Sequence, residues 1–295
     1  MAIGLNTDTF FESPYLTAAE YQNAPTSIDF SNLVVGGNSA AQEAELSRVI
    51  LRASSFLDEY LNQNLVATRK TETQRTRFMP NGFISLHPNQ NPIIALESFS
   101  YGMAPNQLYT IPDPSLCWFE SQQIIIPVSQ MSLTWSSSGP LSFGGGGSNY
   151  NQIYCQYTYT SGYVNNPIAV AVAGASSMTV ANPTGIVAGQ ALRIYDGAKS
   201  ELVYVASNYT YGATTVQLAS PLIYDHAAGT TFGNLPNAIK EACILVTTAF
   251  IKMRGDSSMT MQVTVNPSGN ITGAERYGTE IALALEMVSL YRRVR

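Results

Sequence analysis

The sequence predicts an α+β protein with a helical-bundle core, an antiparallel β-sheet and an inserted small all-β barrel or sandwich domain. The bundle is expected to consist of one long N-terminal helix and two C-terminal helices. Apolar side chains recur at three- and four-residue spacing in 39–64, 235–253 and 272–291, which is the period of one helix face. Residues 67–135 and 174–235 show instead short alternating segments separated by turn residues.

The first predicted helix, over 39–64, is the longest and is expected to organise the core. Ser39 and Gln42 have the spacing of a capping box, which satisfies two free backbone amides at a helix start. One face is apolar and therefore needs cover from the rest of the fold. That face comprises Leu46, Val49, Ile50, Ala53, Phe56, Leu57, Tyr60, Leu61 and Leu65, and the charged face opposite comprises Glu43, Arg48, Arg52, Asp58 and Glu59.

Residues 1–38 are predicted to form an extended aromatic arm, because Pro, Asn, Ser and Gly alternate there with aromatic side chains. Aromatics in such a segment indicate that it packs on something, either its own domain or a neighbouring subunit. The hypothesis carried forward is a subunit interface. Its candidate residues are Phe10, Phe11, Tyr15, Tyr21 and Phe30.

The segment after the first helix is predicted to be a meander of short antiparallel strands, because turn residues interrupt it at short intervals. The four glycines at 144–147 are predicted to be a hinge or loop tip, since no phosphate-binding motif surrounds them. The predicted strands are 67–78, 82–86, 93–101, 109–111, 118–120, 123–127 and 131–135, and 153–159 is expected to resume the same sheet.

Three domains follow from these patterns. Residues 1–38 are the arm, 39–173 together with 236–295 form the core domain, and 174–235 form the inserted β domain. Within the insertion, Asp196-Gly197 stands between two alternating segments and predicts a hairpin turn in which the glycine has positive φ.

Two helices are predicted near the C-terminus. The first begins around Leu235-Pro236 and runs to Met253. The second begins at the capping box Thr272–Glu275 and ends in a basic tail. Its apolar stripe comprises Ile281, Leu285, Val288 and Tyr291, and the tail carries Arg292, Arg293 and Arg295. Three helices with apolar stripes can cover one another, which predicts the bundle.

Composition argues against several classes of function. The chain has a net charge of −5 and only 15 Lys and Arg, which are too few and too scattered for a protein that grips nucleic acid. The basic run Arg69, Lys70, Arg75 and Arg77 is interpreted as a solvated strand face. Three separated cysteines give no disulfide framework, and no segment has the length and apolarity of a membrane span, which favours synthesis in the cytoplasm.

Catalytic chemistry would have to be built from two histidines, His87 and His226. Asp225 precedes His226, but neighbouring residues on a strand point to opposite faces, so the pair is poorly placed for a catalytic dyad. No spacing of His, Cys and carboxylates indicates a metal site. The chain is therefore not expected to be an enzyme or to hold a cofactor or metal.

The order of elements resembles that of the head-to-tail connector (adaptor) proteins of tailed bacteriophages. The resemblance is carried by AELSRVILRASSFLDEYLNQ, by TRKTETQRTRFMPNGFISLHPNQNPIIALESFSYG and by the two C-terminal helices, and it covers roughly residues 40–135 and 236–295. Residues 175–235 are similar to β modules inserted in connector-like phage proteins. Simpler adaptors lack this module, and the long aromatic arm is a second departure.

The resemblance implies a structural virion protein of the neck, a ring matched to the twelvefold portal that provides a platform for the tail. Its partners would be the portal protein, a downstream neck or tail-completion protein and further copies of itself. DNA would pass through the channel during genome ejection without sequence-specific binding, and no membrane is involved. The C-terminal end of such connectors reaches the portal, so Arg292, Arg293 and Arg295 are candidate portal-binding residues.

Two alternatives remain at this stage. One is a tail-completion protein of the neck. The other is a module that binds a glycan or host surface, because aromatic side chains of the inserted domain could stack on sugars. Those aromatics are Tyr195, Tyr204, Tyr209, Tyr211 and Tyr224.

Overall fold

The structure is a computed structural model. It describes residues 13–26, 28–30, 33–77, 83–120, 122–127, 152–253 and 279–293. The chain divides into two compact units: Ala67–Tyr163 is one, and Met1–Val66 with Val164–Arg295 is the other. The predicted core domain had joined residues 67–163 to the helices. The structure instead gives that segment a compact unit of its own.

The second of these units contains the four α-helices of the described chain, which are α1 (Ala18–Asn23), α2 (Ser39–Leu61), α3 (Asn237–Lys252) and α4 (Thr279–Val288). Helix α3 packs against both α2 and α4. The predicted capping box Thr272–Glu275 lies outside the described residues.

Helix α2 starts with a different cap from the predicted one. The side chain of Asn38 accepts a hydrogen bond from the amide of Ala41, which makes Asn38 the N-cap. Gln42 does not close a capping box with Ser39, because its amide group is bonded to the backbone of Val34 on both sides, at 2.8 and 2.7 Å. The helix therefore begins on a folded preceding segment.

The apolar stripe of α2 is buried as predicted, except that Phe56 and Tyr60 are only partly covered. Phe56 packs edge-to-face on Phe250 of α3, with ring centroids 5.9 Å apart. Asp58 had been placed on the charged face, but it is buried and accepts a hydrogen bond from the hydroxyl of Tyr15. The arm therefore covers part of α2 that the sequence had assigned to solvent.

Two of the predicted arm-interface residues, Tyr15 and Tyr21, have rings that are buried within their own unit in the single chain. The amide of Tyr15 donates to Ser54 at 3.0 Å, and the hydroxyl of Tyr21 lies 2.9 Å from that of Thr248. Phe30 is half-buried, and Phe10 and Phe11 lie outside the described residues. Tyr15, Leu16, Ala18 and Tyr21 therefore belong to the buried core of this unit.

The unit Ala67–Tyr163 is a sandwich of two antiparallel sheets. One sheet has the order β1-β7-β3-β4 and the other the order β2-β6-β5. Their facing side chains form one apolar core, which includes Phe99, Tyr157 and Ile124. The strands are β1 (Thr68–Arg77), β2 (Phe83–Leu86), β3 (Ile93–Ala104), β4 (Gln107–Thr110), β5 (Trp118–Glu120), β6 (Gln123–Pro127) and β7 (Gln152–Ser161).

The strands of this unit lie close to their predicted positions, but they do not form a simple meander. Strand β7 comes last in this segment and still lies between β1 and β3 at the centre of its sheet. Alternation of side chains fixes which face each residue occupies, but it carries no information on which strands pair. The predicted strand 131–135 and the glycines at 144–147 lie outside the described residues.

The β module has its own core, which runs from Val164 to Phe232 and so begins before the predicted boundary at 174. Segment 164–171 was missed because its alternation is weak, yet it pairs with residues around His226. Strands β10 and β11 form the predicted hairpin, with Gly197 at positive φ. The strands are β8 (Asn165–Pro167), β9 (Ser177–Thr179), β10 (Ala191–Tyr195), β11 (Glu201–Tyr204), β12 (Thr215–Gln217) and β13 (Thr231–Gly233).

The predicted fold class, α+β with a helical-bundle core, is wrong. Among the described residues there are thirteen strands in four sheets, against four α-helices, so the class is mainly β. The prediction assumed that the stripe of α2 needed other helices as its cover. Part of that cover comes from the arm.

No described helix is long and apolar enough to cross a membrane.

We predict that Tyr15→Phe destabilises the fold, because it removes only the hydroxyl that donates to the buried carboxylate of Asp58. Losing one donor to a buried charged group should lower the free energy of unfolding by about 1–3 kcal/mol. Urea unfolding of the intact chain measures this. The control is Tyr204→Phe on an exposed tyrosine, and equal midpoints for the two variants would contradict the prediction.

Candidate functional site

A pocket of about 770 Å³ opens between the arm, α2, α3 and the β module. Small side chains of Ala18, Ala19 and Ala228 form part of its wall. The polar groups that line it include Lys240 of α3 and Asp196 of the β10–β11 turn. The pocket therefore brings together polar side chains that are far apart in the sequence, which makes it a candidate functional site.

Lys240 is the buried cation of this pocket. Its ammonium group bonds the carboxylate of Glu20 and lies 3.8 Å from the centroid of the Tyr195 ring. Burial lowers the pKa of Lys240, and the charge of Glu20 opposes that shift. The lysine thereby joins α1, α3 and β10. Removing either Lys240 or Glu20 would leave the other charge buried without its partner, which destabilises the fold.

His226 forms a second buried cluster beside the pocket. Its Nδ1 lies 2.9 Å from a carboxylate oxygen of Asp196, and its Nε2 lies 2.8 Å from a carboxylate oxygen of Glu201. The ring is thereby held between two acidic side chains, with a carboxylate oxygen at each nitrogen. Asp225, the sequence neighbour, accepts a hydrogen bond from the amide of Ala173 at 2.8 Å, whereas the carboxylates beside the ring are those of Asp196 and Glu201.

The Glu201 carboxylate fastens a loop as well as the histidine. It accepts backbone amides from Ile223 at 2.9 Å and from Tyr224 at 3.2 Å. Burial alone would raise the pKa of Glu201, but these amides and His226 more than offset it, so the pKa is lowered. The cluster therefore ties the β10–β11 hairpin to segment 223–226.

The two clusters offer little to a substrate. Both ring nitrogens of His226 already face carboxylates, and the ammonium of Lys240 is held between Glu20 and an aromatic ring. In the part of the chain that the structure describes, no group of three or more His, Cys, Asp or Glu side chains could hold a metal ion. What this arrangement does chemically is hold chain segments together.

In the sandwich unit, the carboxylate of Glu72 is the centre of a similar hydrogen-bond network. Its carboxylate accepts from the hydroxyls of Tyr159 at 2.6 Å and Tyr157 at 3.1 Å, and from the amide of Asn89 at 2.9 Å. Burial, followed by the charge of Glu72, raises the pKa of the Tyr159 hydroxyl. The loop between β2 and β3 is thus bound to the central strand. His87, at the start of this loop, bonds Gln74 through its backbone amide.

The predicted portal-binding arginines lie at the end of α2. The guanidinium of Arg292 stacks 5.0 Å from the Tyr60 ring centroid, and the amide of Arg293 donates to the carbonyl of Leu61 at 2.9 Å. Gln63 also donates to the carbonyl of Tyr291 at 2.6 Å. This end of the chain is therefore anchored to α2 by its backbone, and Arg292 remains exposed. Arg295 lies outside the described residues.

The tyrosines proposed for sugar binding do not form one set. Tyr195 and Tyr209 donate their hydroxyls to backbone carbonyls, and Tyr195 also contacts Lys240. Tyr204, Tyr211 and Tyr224 are exposed. Two of the five candidates thus have structural roles in the β module, which weakens the glycan-binding alternative.

A surface feature that the sequence did not indicate lies on β5, an edge strand among the described strands of the sandwich. Trp118 is 40% exposed and Phe119 is 42% exposed, and Leu116 just before the strand is 49% exposed. The Trp118 ring packs edge-to-face on Phe83, with centroids 5.1 Å apart. The three residues 118–120 had been predicted as a strand, but periodicity cannot tell an edge strand from a central one.

The lowered pKa of Glu201 makes a prediction about acid stability. A carboxylate with a lowered pKa stabilises the fold above its ordinary value of 4.5, and that stabilisation is lost as pH falls through the folded-state pKa. Glu201→Gln should therefore lose less free energy of unfolding than the unmodified chain between roughly pH 5 and pH 3. Urea unfolding across this range measures it. Glu43→Gln, an exposed control, should keep the original pH dependence, and identical slopes for both variants would refute the assignment.

Comparison with models of known protein families, with curated proteins and with solved structures finds no match to this chain.

Proposed function

We propose that this chain is a structural protein, a ring-forming subunit of the neck between the portal and the tail of a tailed bacteriophage. The observation that carries the proposal is the exposed aromatic edge of β5, formed by Trp118 and Phe119 with Leu116 beside it. The resemblance of the sequence to head-to-tail connectors supplies the identity of the assembly. The fold itself is mainly β, so the argument does not depend on a helical bundle.

Edge strands of soluble proteins are usually protected against pairing with other chains. Charged side chains are one common protection, because they resist burial between two strands. Strand β1, an edge of the other sheet of the sandwich, carries Arg69, Arg75 and Arg77 and follows this rule. Strand β5 does the opposite, since two of its three side chains are aromatic. An apolar edge of this kind favours an interface.

The occupant we propose for this edge is a second copy of the chain. The surface is poor in charge, with charged residues at 12% of the sequence, which suits a protein whose flanks are covered in a permanent assembly. Pairing of the β5 edge of one copy with a different surface of the next is a heterologous contact, and such contacts close into rings when the rotation permits.

The buried polar clusters support a structural role over an enzymatic one. Glu20 with Lys240, Asp196 and Glu201 with His226, and Glu72 with two tyrosines each connect segments distant in sequence. Their polar atoms are used to hold the fold. A ring subunit through which DNA passes needs such internal rigidity, and it needs no catalytic group.

The proposal predicts that Phe119→Lys prevents self-assembly, because a charge on the edge strand opposes pairing with a neighbour. Mass photometry should find rings of the unmodified chain, with about twelve times the 31.9 kDa of one copy on a portal template, and monomers of the variant. Leu116→Lys places the same charge beside the strand and should also weaken assembly.

The matched control for these variants is Tyr204→Lys, which changes an aromatic residue of similar exposure on an edge strand of the β module. Thermal unfolding shows whether each variant is folded. Folded Phe119→Lys and Leu116→Lys variants that form rings as readily as the Tyr204→Lys control would overturn the proposed interface.

A second test concerns the portal. We propose that Arg292 and Arg293 contact acidic or carbonyl-rich portal surface, where guanidinium groups are favoured. Replacing both with Gln should reduce portal affinity by about two- to fivefold, and the reduction should be larger at low salt than at high salt. Arg193→Gln on the exposed face of β10 serves as the control. Equal portal affinity for both variants at every salt concentration would contradict the portal contact and indicate that these arginines are only solvated.

A further inference from the structure

The outer face of the sheet β1-β7-β3-β4 is the surface with the clearest unassigned chemistry. On β1 the exposed side chains are every second residue, and three of the five are arginines: Arg69, Arg75 and Arg77. The residues between them face the sandwich core. Alternation on the strand therefore gathers the basic side chains of this unit into one row on the outer face.

The rest of this face is polar and nearly without carboxylates. The register aligns Thr71, Thr158 and Ser98 across β1, β7 and β3. Thr158 is buried, and its hydroxyl lies 2.8 Å from that of the exposed Thr71. Gln152, Tyr154, Gln156, Ser100 and Thr110 belong to the same face. Glu97 is its acidic residue, and Glu97 already pairs with Arg69 and accepts the hydroxyl of Thr160 at 2.8 Å.

The charge of this face differs in sign from that of the chain as a whole. The sandwich unit holds four basic and four acidic side chains, so the net charge of −5 belongs to the other unit. These eight residues are Arg69, Lys70, Arg75, Arg77, Glu72, Glu97, Asp113 and Glu120. Three of the four basic residues lie on the outer face, against one paired carboxylate.

We propose that this face contacts the phosphate backbone of duplex DNA. Guanidinium forks bind phosphate oxygens well, and Thr, Ser, Gln and Tyr side chains donate further hydrogen bonds to phosphates. The row from Arg69 to Arg77 is roughly 27 Å long, which equals about eight base steps of a duplex. The inference rests on the proposed function only for the choice of DNA as the polyanion.

An acidic protein surface fits this face less well. The centres of protein interfaces are enriched in aromatic and other apolar side chains. Among the described residues of this face the aromatic one is Tyr154, whose ring lies 5.9 Å from the guanidinium of Arg75, and the register adds only the partly buried Leu108 of β4 as a large aliphatic side chain. Among the described residues of this unit there is no α-helix that could enter the major groove and read base edges. The contact is therefore weak and independent of sequence, which suits a surface past which DNA moves.

The test is fluorescence anisotropy of a labelled 30-base-pair duplex with the intact chain, from about 20 to 200 mM salt. With two or three phosphate contacts per chain, the logarithm of the binding constant should fall against the logarithm of salt with a slope of about −2 to −3. Replacing Arg75 and Arg77 with Gln should weaken binding about tenfold at low salt and reduce the slope by about 2.

The matched control replaces Arg48 and Arg52 with Gln, which removes the same charge from exposed positions on α2. This control should bind DNA as the unmodified chain does. Absence of binding at 20 mM salt, or equal weakening by the two double variants, would overturn the inference. Competition by polyglutamate as strong as that by DNA of equal charge would also overturn it, in favour of an acidic protein partner.

Ring formation by the Arg75→Gln and Arg77→Gln variant separates this inference from the proposed function. Rings that form normally while DNA binding by every form of the chain is absent would overturn the DNA contact alone. Chains that bind DNA through this face but never assemble would overturn the ring proposal and leave the DNA contact in place.

Discussion

A carboxylate that is removed from water on folding needs hydrogen-bond donors around it. Three carboxylates of this chain meet that need with donors from distant segments, and these contacts hold the fold together. Asp58 holds the arm through Tyr15, Glu201 holds a module loop through His226, and Glu72 holds the β2–β3 loop through Tyr159. Each partner lies at least 25 residues away along the chain. Segments without regular structure are thereby fixed as firmly as the strands and helices they cross.

Side-chain periodicity placed the long helices and most strands, because burial of one face leaves a local pattern in the sequence, but it missed the weakly alternating segment 164–171. It could not predict the fold class correctly, because the apolar face of α2 is covered partly by the arm and not by helices alone. It also could not find the partners of Asp58 or His226, because those contacts join residues with no fixed spacing. Asp58 looked like a surface charge for that reason.

The surface features of the sandwich were equally invisible to periodicity. Whether Trp118 and Phe119 lie at an edge depends on strand order, which places β6 on one side of β5 and no described strand on the other. The arginines of β1 were correctly placed on one strand face, but their neighbours across β7 and β3 became known only from the register. Interaction surfaces built from several strands need the sheet before they can be recognised.

The central claim is that the β5 edge is covered by another copy of the chain. Hydrogen exchange measured by mass spectrometry at low and at high protein concentration, with and without a portal template, tests it most directly. The account predicts that amides of residues 116–120 exchange rapidly in the monomer and become protected on assembly, while those of the exposed hairpin strand β11 do not change. Assembly that leaves the exchange of residues 116–120 unaltered would contradict it.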